Sequence, residues 1–137
     1  MELELLALCD AATDSMGKLN ILGAFDSIVA RSVPVVHPQC AVALRIRFSR
    51  AEAGEHKVAV NLIDEDGKSI VPSLDATVHI VFRGDEEASV ATNMIMNLQR
   101  LQLANAGEYS IEVAVDGRHQ KSIPLVVRLR KTEPSQP

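Results

Sequence analysis

Two pairs of arginines are the side chains best suited to binding an anion or an acidic partner. Arg45 and Arg47 alternate along one segment, and Arg128 and Arg130 alternate along another near the end of the chain. Because successive side chains of a strand point to opposite faces, each pair shares a face if its segment is a strand. Charge rows are also common on solvated faces, where ion pairs stabilise little. The arginines therefore form either a binding face or an ordinary solvated face.

Acidic side chains in predicted loops offer oxygen ligands of the kind that calcium prefers. Aspartate before glycine is also typical of hairpin turns, and the twelve-residue calcium loop closed by glutamate is missing from the sequence. A turn-forming role is therefore favoured over a calcium site. The acidic residues concerned are Asp10, Asp14, Asp64, Glu65, Asp66, Asp75 and Asp116.

Cysteine and histidine do not have the spacing of a metal site. The sequence has two cysteines, Cys9 and Cys40, and four scattered histidines, without a close cysteine pair. Structural zinc needs about four converging ligands. We therefore predict no metal and no other cofactor, and two buried thiols that stay reduced in the cytoplasm. Their spacing does not decide whether the two cysteines lie close together.

Motifs of nucleophilic catalysis and phosphate binding are absent from the sequence. It contains neither a Gly-x-Ser-x-Gly elbow nor a glycine-rich loop followed by Lys-Ser or Lys-Thr. We therefore expect a protein that is not an enzyme.

Composition excludes several classes of partner. The chain has 137 residues, 47% hydrophobic and 23% charged, which is typical of one globular domain. Aromatic residues make up 3%, too few for stacking on bases, and a net charge of −4 does not favour binding to DNA or anionic membranes. We expect neither nucleic acid nor membrane as a partner.

The start of the chain does not look like an export signal. Glu2 and Glu4 stand where a secretory signal has basic residues. Apolar runs also stay well short of the roughly 20 residues of a membrane span. These features predict a cytoplasmic protein.

Hydrophobic residues recur mostly every second position, which indicates strands rather than helices. Turns are expected at 10–17, at 84–87, and where Gly67 and Gly117 follow aspartate. Pro34 and Pro38 are expected to interrupt the chain between strands, and Pro124 to place the last strand at a sheet edge or make its start irregular. The predicted strands are 2–9, 18–25, 40–49, 57–64, 76–82, 107–117 and 121–131.

The segment 88–103 fits two structures. Its apolar residues match either a helical stripe or a strand face, and its low content of β-branched residues favours a helix. Its neighbours are all predicted strands, so consistency with the rest of the chain favours a strand.

The segment Asn105–Ile111 resembles the start of strand F in immunoglobulin-like domains, where Tyr109, two positions after Gly107, would form a tyrosine corner. The segment before it resembles strand E. The cysteine that antibody domains carry two positions after the tyrosine is replaced by Ile111. This resemblance implies that both arginine pairs flank strand F in one sheet, with Glu112 between them as a balancing charge.

The whole chain also resembles a family of short bacterial proteins known only as a domain of unknown function. The resemblance lies in Cys9-Asp10, in the segment 17–26 and in the segment 124–127. It implies a cytosolic, stand-alone β-sandwich and supplies neither an activity nor catalytic residues.

These observations predict an all-β protein, a single antiparallel β-sandwich of immunoglobulin-like type with about 7–9 strands over 1–131 and a disordered tail at 132–137. The favoured function is a non-catalytic interaction or assembly module that binds an unknown protein partner or itself. The alternative is a sandwich domain that binds a small ligand, an anion or calcium.

Overall fold

The computed structural model describes residues 1–131, so the predicted tail at 132–137 lies outside the described residues. Within them the chain forms nine strands and one short 3-10 turn at Arg50–Glu52. The strands are β1 (Glu2–Ser15), β2 (Lys18–Ala24), β3 (Ser27–Ala30), β4 (Val35–Ser49), β5 (Gly54–Ile63), β6 (Leu74–Ile80), β7 (Ser89–Leu103), β8 (Gly107–Val115) and β9 (Arg118–Leu129).

The strands form two sheets, which confirms the all-β prediction. The four-stranded sheet has the order β2-β1-β4-β7, and the five-stranded sheet has the order β3-β9-β8-β5-β6. The prediction that every pair is antiparallel is wrong at one place, because β3 runs parallel to β9. After β2, the chain crosses from the four-stranded to the five-stranded sheet. There β3 lies beside β9 and runs in the same direction.

A single hydrophobic core joins the two sheets. Alternate residues of β4 enter it, as their spacing predicts, and meet alternate residues of β5, β8 and β9. This alternation is what a strand with one face against a core requires. The largest fully buried side chains include Phe48, Leu44, Ile46, Val42, Val58, Val60, Ile111, Val113 and Leu125.

The ambiguous segment is a strand. Strand β7 pairs with β4 along nearly its whole length, from Ser89 opposite Ser49 to Leu103 opposite Val35. The strand interpretation is therefore confirmed, because long-range pairing with β4 outweighs the local helix propensity.

Both prolines that fall in strands lie where one side of the strand is unpaired. Pro38 lies inside β4, beyond Ala41, the last residue that β1 pairs with. Pro124 lies in β9 before Val126, where pairing with β3 begins. A missing N–H is tolerated at such places. The prediction that Pro38 interrupts the chain is wrong. The prediction that the last strand lies at a sheet edge is also wrong, because β9 lies between β3 and β8, although its side towards β3 is unpaired at Pro124.

The predicted loop at 10–17 is wrong, because β1 continues through Ser15 and forms a hairpin with β2. Cys9 pairs with Ala41 on one side and with Ala24 on the other, so β1 changes partner there. The segment 10–24, which we call the folded-back hairpin, lies across the outer face of the four-stranded sheet.

Apolar and polar contacts both attach the folded-back hairpin to that face. Leu19 and Ile21 pack on a small buried cluster that contains Ala41 and Ala43. At the tip, the Asn93 amide nitrogen donates to Asp14 Oδ2 and to the Gly17 carbonyl, each at 3.1 Å. The hairpin therefore shields the backs of β4 and β7.

The three glycines predicted to be structural all have positive φ: 80° at Gly67, 130° at Gly107 and 79° at Gly117. Gly117 follows Asp116, which also has positive φ, in the two-residue turn that joins β8 to β9. This is the turn chemistry that Asp-Gly predicts. A side chain at Gly107 would also collide with the Glu65 carboxylate.

Tyr109 anchors the turn before β8. Its side chain is buried, its hydroxyl donates to the Asn105 carbonyl at 2.9 Å, and the Asn105 N–H donates to the same hydroxyl oxygen at 3.2 Å. The single hydroxyl therefore satisfies two backbone groups of one residue.

We expect Tyr109→Phe to lower the free energy of unfolding by about 1–2 kcal/mol, because it removes both hydrogen bonds between the buried tyrosine and the Asn105 backbone. Urea denaturation of both proteins measures the difference. Equal unfolding midpoints and slopes would contradict this role for the hydroxyl.

The turn of the folded-back hairpin offers a stabilising substitution. Met16 has a φ of 54° and is 97% exposed, so it is held in the left-handed region without compensating contacts. Asparagine adopts this conformation at less cost. We expect Met16→Asn to raise the free energy of unfolding by about 1 kcal/mol, and Met16→Leu, the control, to leave it unchanged. Stabilisation by both variants would show that loss of an exposed methionine, and not backbone conformation, is responsible.

Candidate functional site

The four arginines do not form one face. Arg45 and Arg47 lie on β4 in the four-stranded sheet, whereas Arg128 lies on β9 in the five-stranded sheet and Arg130 directly follows β9. The predicted common face is therefore wrong. The physical reason is that β4 pairs with β1 and β7, so it is not a neighbour of β8.

Arg45 and Arg47 share one carboxylate, that of Glu4 on β1. Arg45 Nε lies 3.2 Å from Glu4 Oε1, and Arg47 Nε lies 3.0 Å from Glu4 Oε2. The hydrogen bond from Arg47 is the main cause that lowers the pKa of the Glu4 carboxyl. Arg45 Nη1 also donates to the Asn93 side-chain oxygen at 2.9 Å. These guanidinium groups hold β1, β4 and β7 together on a solvated face.

Glu112, predicted to balance the arginines, has other partners. Its carboxylate accepts from the hydroxyls of Ser110 and Ser122 and lies 2.6 Å from His119 Nε2. Burial alone would raise the pKa of the Glu112 carboxyl, but the hydrogen bonds from Ser122 and His119 outweigh it and lower the pKa. The predicted ladder of arginine, glutamate and arginine is wrong.

The Ser122, His119 and Glu112 cluster has the residue types of a catalytic triad but not its geometry. In a triad the acid binds one imidazole nitrogen and the serine binds the other. Here Glu112 Oε2 and Ser122 Oγ both approach His119 Nε2, at 2.6 Å and 2.8 Å. One nitrogen cannot both accept the serine proton and donate to the acid, so Glu112 does not orient the ring to activate Ser122 as the acid of a triad does.

A second histidine joins the end of β4 to the turn between β8 and β9. His56 Nδ1 lies 2.6 Å from Asp116 Oδ2, Nε2 lies 2.5 Å from the Glu52 carbonyl oxygen, and the ring stacks on Phe48 at 4.5 Å. The Glu52 carbonyl and then the Asp116 carboxylate raise the pKa of His56. Both ring nitrogens donate only when the ring is protonated, so this arrangement stabilises the imidazolium.

The Glu52 side chain next to it holds the chain start in place. Glu52 Oε1 lies 2.7 Å from the Met1 amino group, and this contact, with bonds from Ser49, lowers the pKa of the Glu52 carboxyl to about 2. The 3-10 turn and the start of β5 therefore bind both the amino terminus and the β8–β9 turn.

The predicted acidic loops use their carboxylates to form turns. Asp64 Oδ1 accepts from the N–H groups of Asp66 and Lys68, and Asp14 Oδ1 accepts from that of Gly17. Among residues 1–131 no group of three or more Asp, Glu, His or Cys side chains is arranged to hold a metal ion. The turn role is therefore the one that these contacts support.

A cavity of about 180 Å³ lies beside the acidic loop after β5. Carboxylates line it, including those of Asp64, Glu65 and Glu108, and Tyr109 lies at its base. Its negative lining disfavours an anion as ligand.

The two cysteines are buried, free and on different faces of the four-stranded sheet. Cys40 belongs to the main core, whereas Cys9 belongs to the small cluster under the folded-back hairpin. Burial raises the pKa of Cys40 to about 11 and also raises that of Cys9. Both thiols are therefore protonated near neutral pH and are poor nucleophiles.

Strand β7 presents the longest unpaired edge of the two sheets. It has fifteen residues, against seven in β2, four in β3 and seven in β6, the other end strands. Within residues 1–131, only β4 forms hydrogen bonds with the β7 backbone. Antiparallel pairing uses alternate residues, so about seven N–H and C=O pairs of β7 point outward.

The other end strands carry features that discourage pairing with another chain, whereas most of β7 does not. Strand β2 carries Lys18 and is bent at Gly23, where φ is 67°; β3 is short; and β6 carries Asp75. Residues 89–99 of β7 contain neither charge nor proline nor glycine. Charge, bends and short length are the usual protections of sheet edges.

Apolar side chains of β7 are left partly covered along the same edge. Val90 and Met96 pack against the core but remain half-exposed, and Ile95 lies half-exposed on the outer face. The outward backbone groups and these side chains together form what we call the β7 edge, residues 89–99. Sequence reasoning identified the strand but not the edge, because periodicity does not reveal which strands end a sheet.

Two sheets around one core, with one long edge that is uncharged over residues 89–99, define an all-β domain. The chain belongs to the family of unknown function DUF6941, whose model matches residues 4–128. The predicted resemblance to an uncharacterised family is thereby confirmed. The chain matches no curated protein. In the described part of the chain, no helix has the length and apolar character to span a membrane.

The pKa of His56 generates a test of its structural role. A group whose pKa is raised on folding stabilises the folded protein below its unfolded pKa of about 6.5, and this stabilisation is lost as the pH rises through the folded value. We therefore expect His56→Gln to cost more stability at about pH 5 than at about pH 9, measured by urea denaturation. An equal loss at both pH values would contradict a role for the protonated ring.

Proposed function

We propose that this chain is a non-catalytic, cytoplasmic interaction or assembly module, built on an immunoglobulin-like scaffold, whose partner adds a β-strand to the β7 edge. The observation that carries the proposal is the length of this edge together with its lack of charge over residues 89–99. Long, flat, uncharged edges are the places where a second chain adds a strand.

The order of the strands supports the immunoglobulin-like part of the proposal. Such domains pair strands A, B, E and D in one sheet and C, F and G in the other. Here β1-β4-β7 corresponds to A-B-E, and β5-β8-β9 corresponds to C-F-G. The hydrogen bonds between Tyr109 and Asn105, four positions upstream, have the form of a tyrosine corner.

This comparison indicates why the β7 edge is unpaired. In the immunoglobulin arrangement strand D covers strand E. Here the strand that precedes β7, β6, pairs with β5 in the opposite sheet instead. Within residues 1–131 no strand therefore pairs with the outer edge of β7, and a strand from another molecule fits beside it.

The chemistry of the remaining polar clusters supports a non-catalytic role. His119 has the serine and the acid on the same nitrogen, and both thiols have raised pKa values. The alternative function, binding a small ligand, an anion or calcium, has less support. Asp14 and Asp64 of its candidate acidic residues accept turn hydrogen bonds, and its candidate arginines are divided between the two sheets.

A pull-down with a variant of the β7 edge tests the proposal. Asn97 and Gln99 are exposed on β7, so Asn97→Lys/Gln99→Lys adds charge to the edge without disturbing the core. The matched control is Asn20→Lys/Gln120→Lys, the same residue changes at exposed positions of β2 and β9. We expect a stoichiometric protein companion in the host cytosol to be retained by wild type and control and lost by the edge variant.

The tag on the bait distinguishes a bound untagged copy of this chain from a different protein. Quantitative mass spectrometry of the three eluates measures the loss. Either no companion with the wild-type protein or a companion retained equally by the edge variant would overturn the proposal.

A further inference from the structure

We propose that the strand added to β7 is β7 of a second copy of this chain, paired antiparallel about a two-fold axis near Met94. This inference rests on the proposed function, since it names the partner of the same edge. The two four-stranded sheets would then join into one continuous sheet of eight strands.

The absence of charge makes the edge compatible with itself. An axis at Met94 places the uncharged segment 89–99 opposite the same segment of the second copy. Like charges that face each other across two strands are destabilising, and here none do. A two-fold contact is also closed, so it covers both β7 edges and leaves none for further growth.

The core-facing side chains of β7 are also complementary to those of a second β7 strand that runs antiparallel to it. In this register Val90 lies opposite Leu98 of the second copy, Thr92 lies opposite Met96, and Met94 lies opposite itself. All five face the core side of β7, where they pair with core-facing residues of β4. The half-exposed Val90 and Met96 would become covered, so the apolar layer would extend from one copy to the other.

Charges at the two ends of the edge favour the antiparallel direction. Arg100 is the one ionisable residue of β7, and its side chain is exposed. At the opposite end, Asp85, Glu86 and Glu87 precede the strand and are exposed. With the axis at Met94, Arg100 lies opposite Ala88 of the second copy and beside its Glu87. A parallel arrangement would instead bring the two Arg100 side chains together.

Backbone geometry limits the contact to this length. Arg100 has a φ of 53°, and the pairing register between β4 and β7 skips it opposite Pro38. The left-handed conformation of Arg100 interrupts the extended backbone at this one residue, and pairing with β4 resumes in the same register at Leu101. The regular part of the edge therefore ends at Gln99, where the uncharged segment ends.

Sedimentation equilibrium of the purified full chain, from about 1 μM to about 500 μM, tests the inference, because weak strand-mediated dimers form in this range. We expect the wild-type protein to approach twice its mass of 14.9 kDa. In this register Ala91 lies opposite Asn97 of the second copy, so Ala91→Lys/Asn97→Lys should raise the dissociation constant at least about tenfold, because two pairs of lysines then face each other across the interface. The control Asn20→Lys/Gln120→Lys should leave it unchanged, and circular dichroism confirms that each variant is folded.

A charge exchange tests the register independently. Arg100→Glu alone and Glu87→Arg alone should each weaken the dimer by about three- to tenfold, since each change places like charges together at both ends. The double variant Arg100→Glu/Glu87→Arg should recover most of the wild-type dissociation constant. Failure of the double variant to recover it would overturn the antiparallel register.

A wild-type protein that stays monomeric over the whole concentration range, or a dimer unaffected by the β7 lysines, would overturn the second copy as partner. The pull-down then separates this failure from failure of the proposed function. If the edge variant loses a different protein, the edge still binds a strand of another chain. If no companion depends on the edge, the proposed function fails as well.

Discussion

Burial of β4 on both of its faces is the constraint on which the rest of the structure depends. Its even-numbered side chains from Val42 to Phe48 fill the core, while Ala41 and Ala43 on the other face are fully covered by the folded-back hairpin. Because alanine side chains are small, the hairpin backbone approaches this face of the sheet closely, and the leucine and isoleucine side chains of the hairpin fill the remaining space. Because β1 and β7 occupy both edges of β4, its backbone polar groups are also paired where the burial is deepest.

Local signals in the sequence predicted the elements well and their partners poorly. Alternation of apolar residues identified β4, β5 and β8, and the Asp116-Gly117 turn followed from its two residue types. Alternation states which side chains share a face, but it contains no information on which strand lies beside which. For this reason Arg45 and Arg128 were predicted to share a face, although their strands belong to different sheets. The β7 edge was missed for the same reason, since an end strand is defined by the neighbour that it lacks.

The folded-back hairpin illustrates how tertiary contacts outweigh composition. Residues 10–15 are rich in Asp, Ser and Thr, which favour turns when only local interactions act. In the folded chain they pair with β2, and the side chains of Asn93 and Arg45 bind the hairpin tip. These polar residues therefore belong to a strand that has one side exposed to solvent and the other side packed on the sheet. A sequence with the same composition but larger residues at 41 and 43 would have no surface for this hairpin to cover.

The pairing of polar groups within the fold supports the proposal that a partner binds backbone groups rather than charged side chains. Glu4 binds Arg45 and Arg47, Asp116 binds His56, and the loop carboxylates bind turn N–H groups, so the prominent charges are already paired within the fold. Within residues 1–131 the outward backbone groups of β7 have no protein partner, and pairing each with an added strand would gain about 0.5–1.5 kcal/mol. In the proposed dimer, a series of such bonds together with covered apolar side chains would give a contact with a defined strand direction. The neutral middle of β7 would permit this contact, and the opposite charges at its two ends would favour the antiparallel orientation.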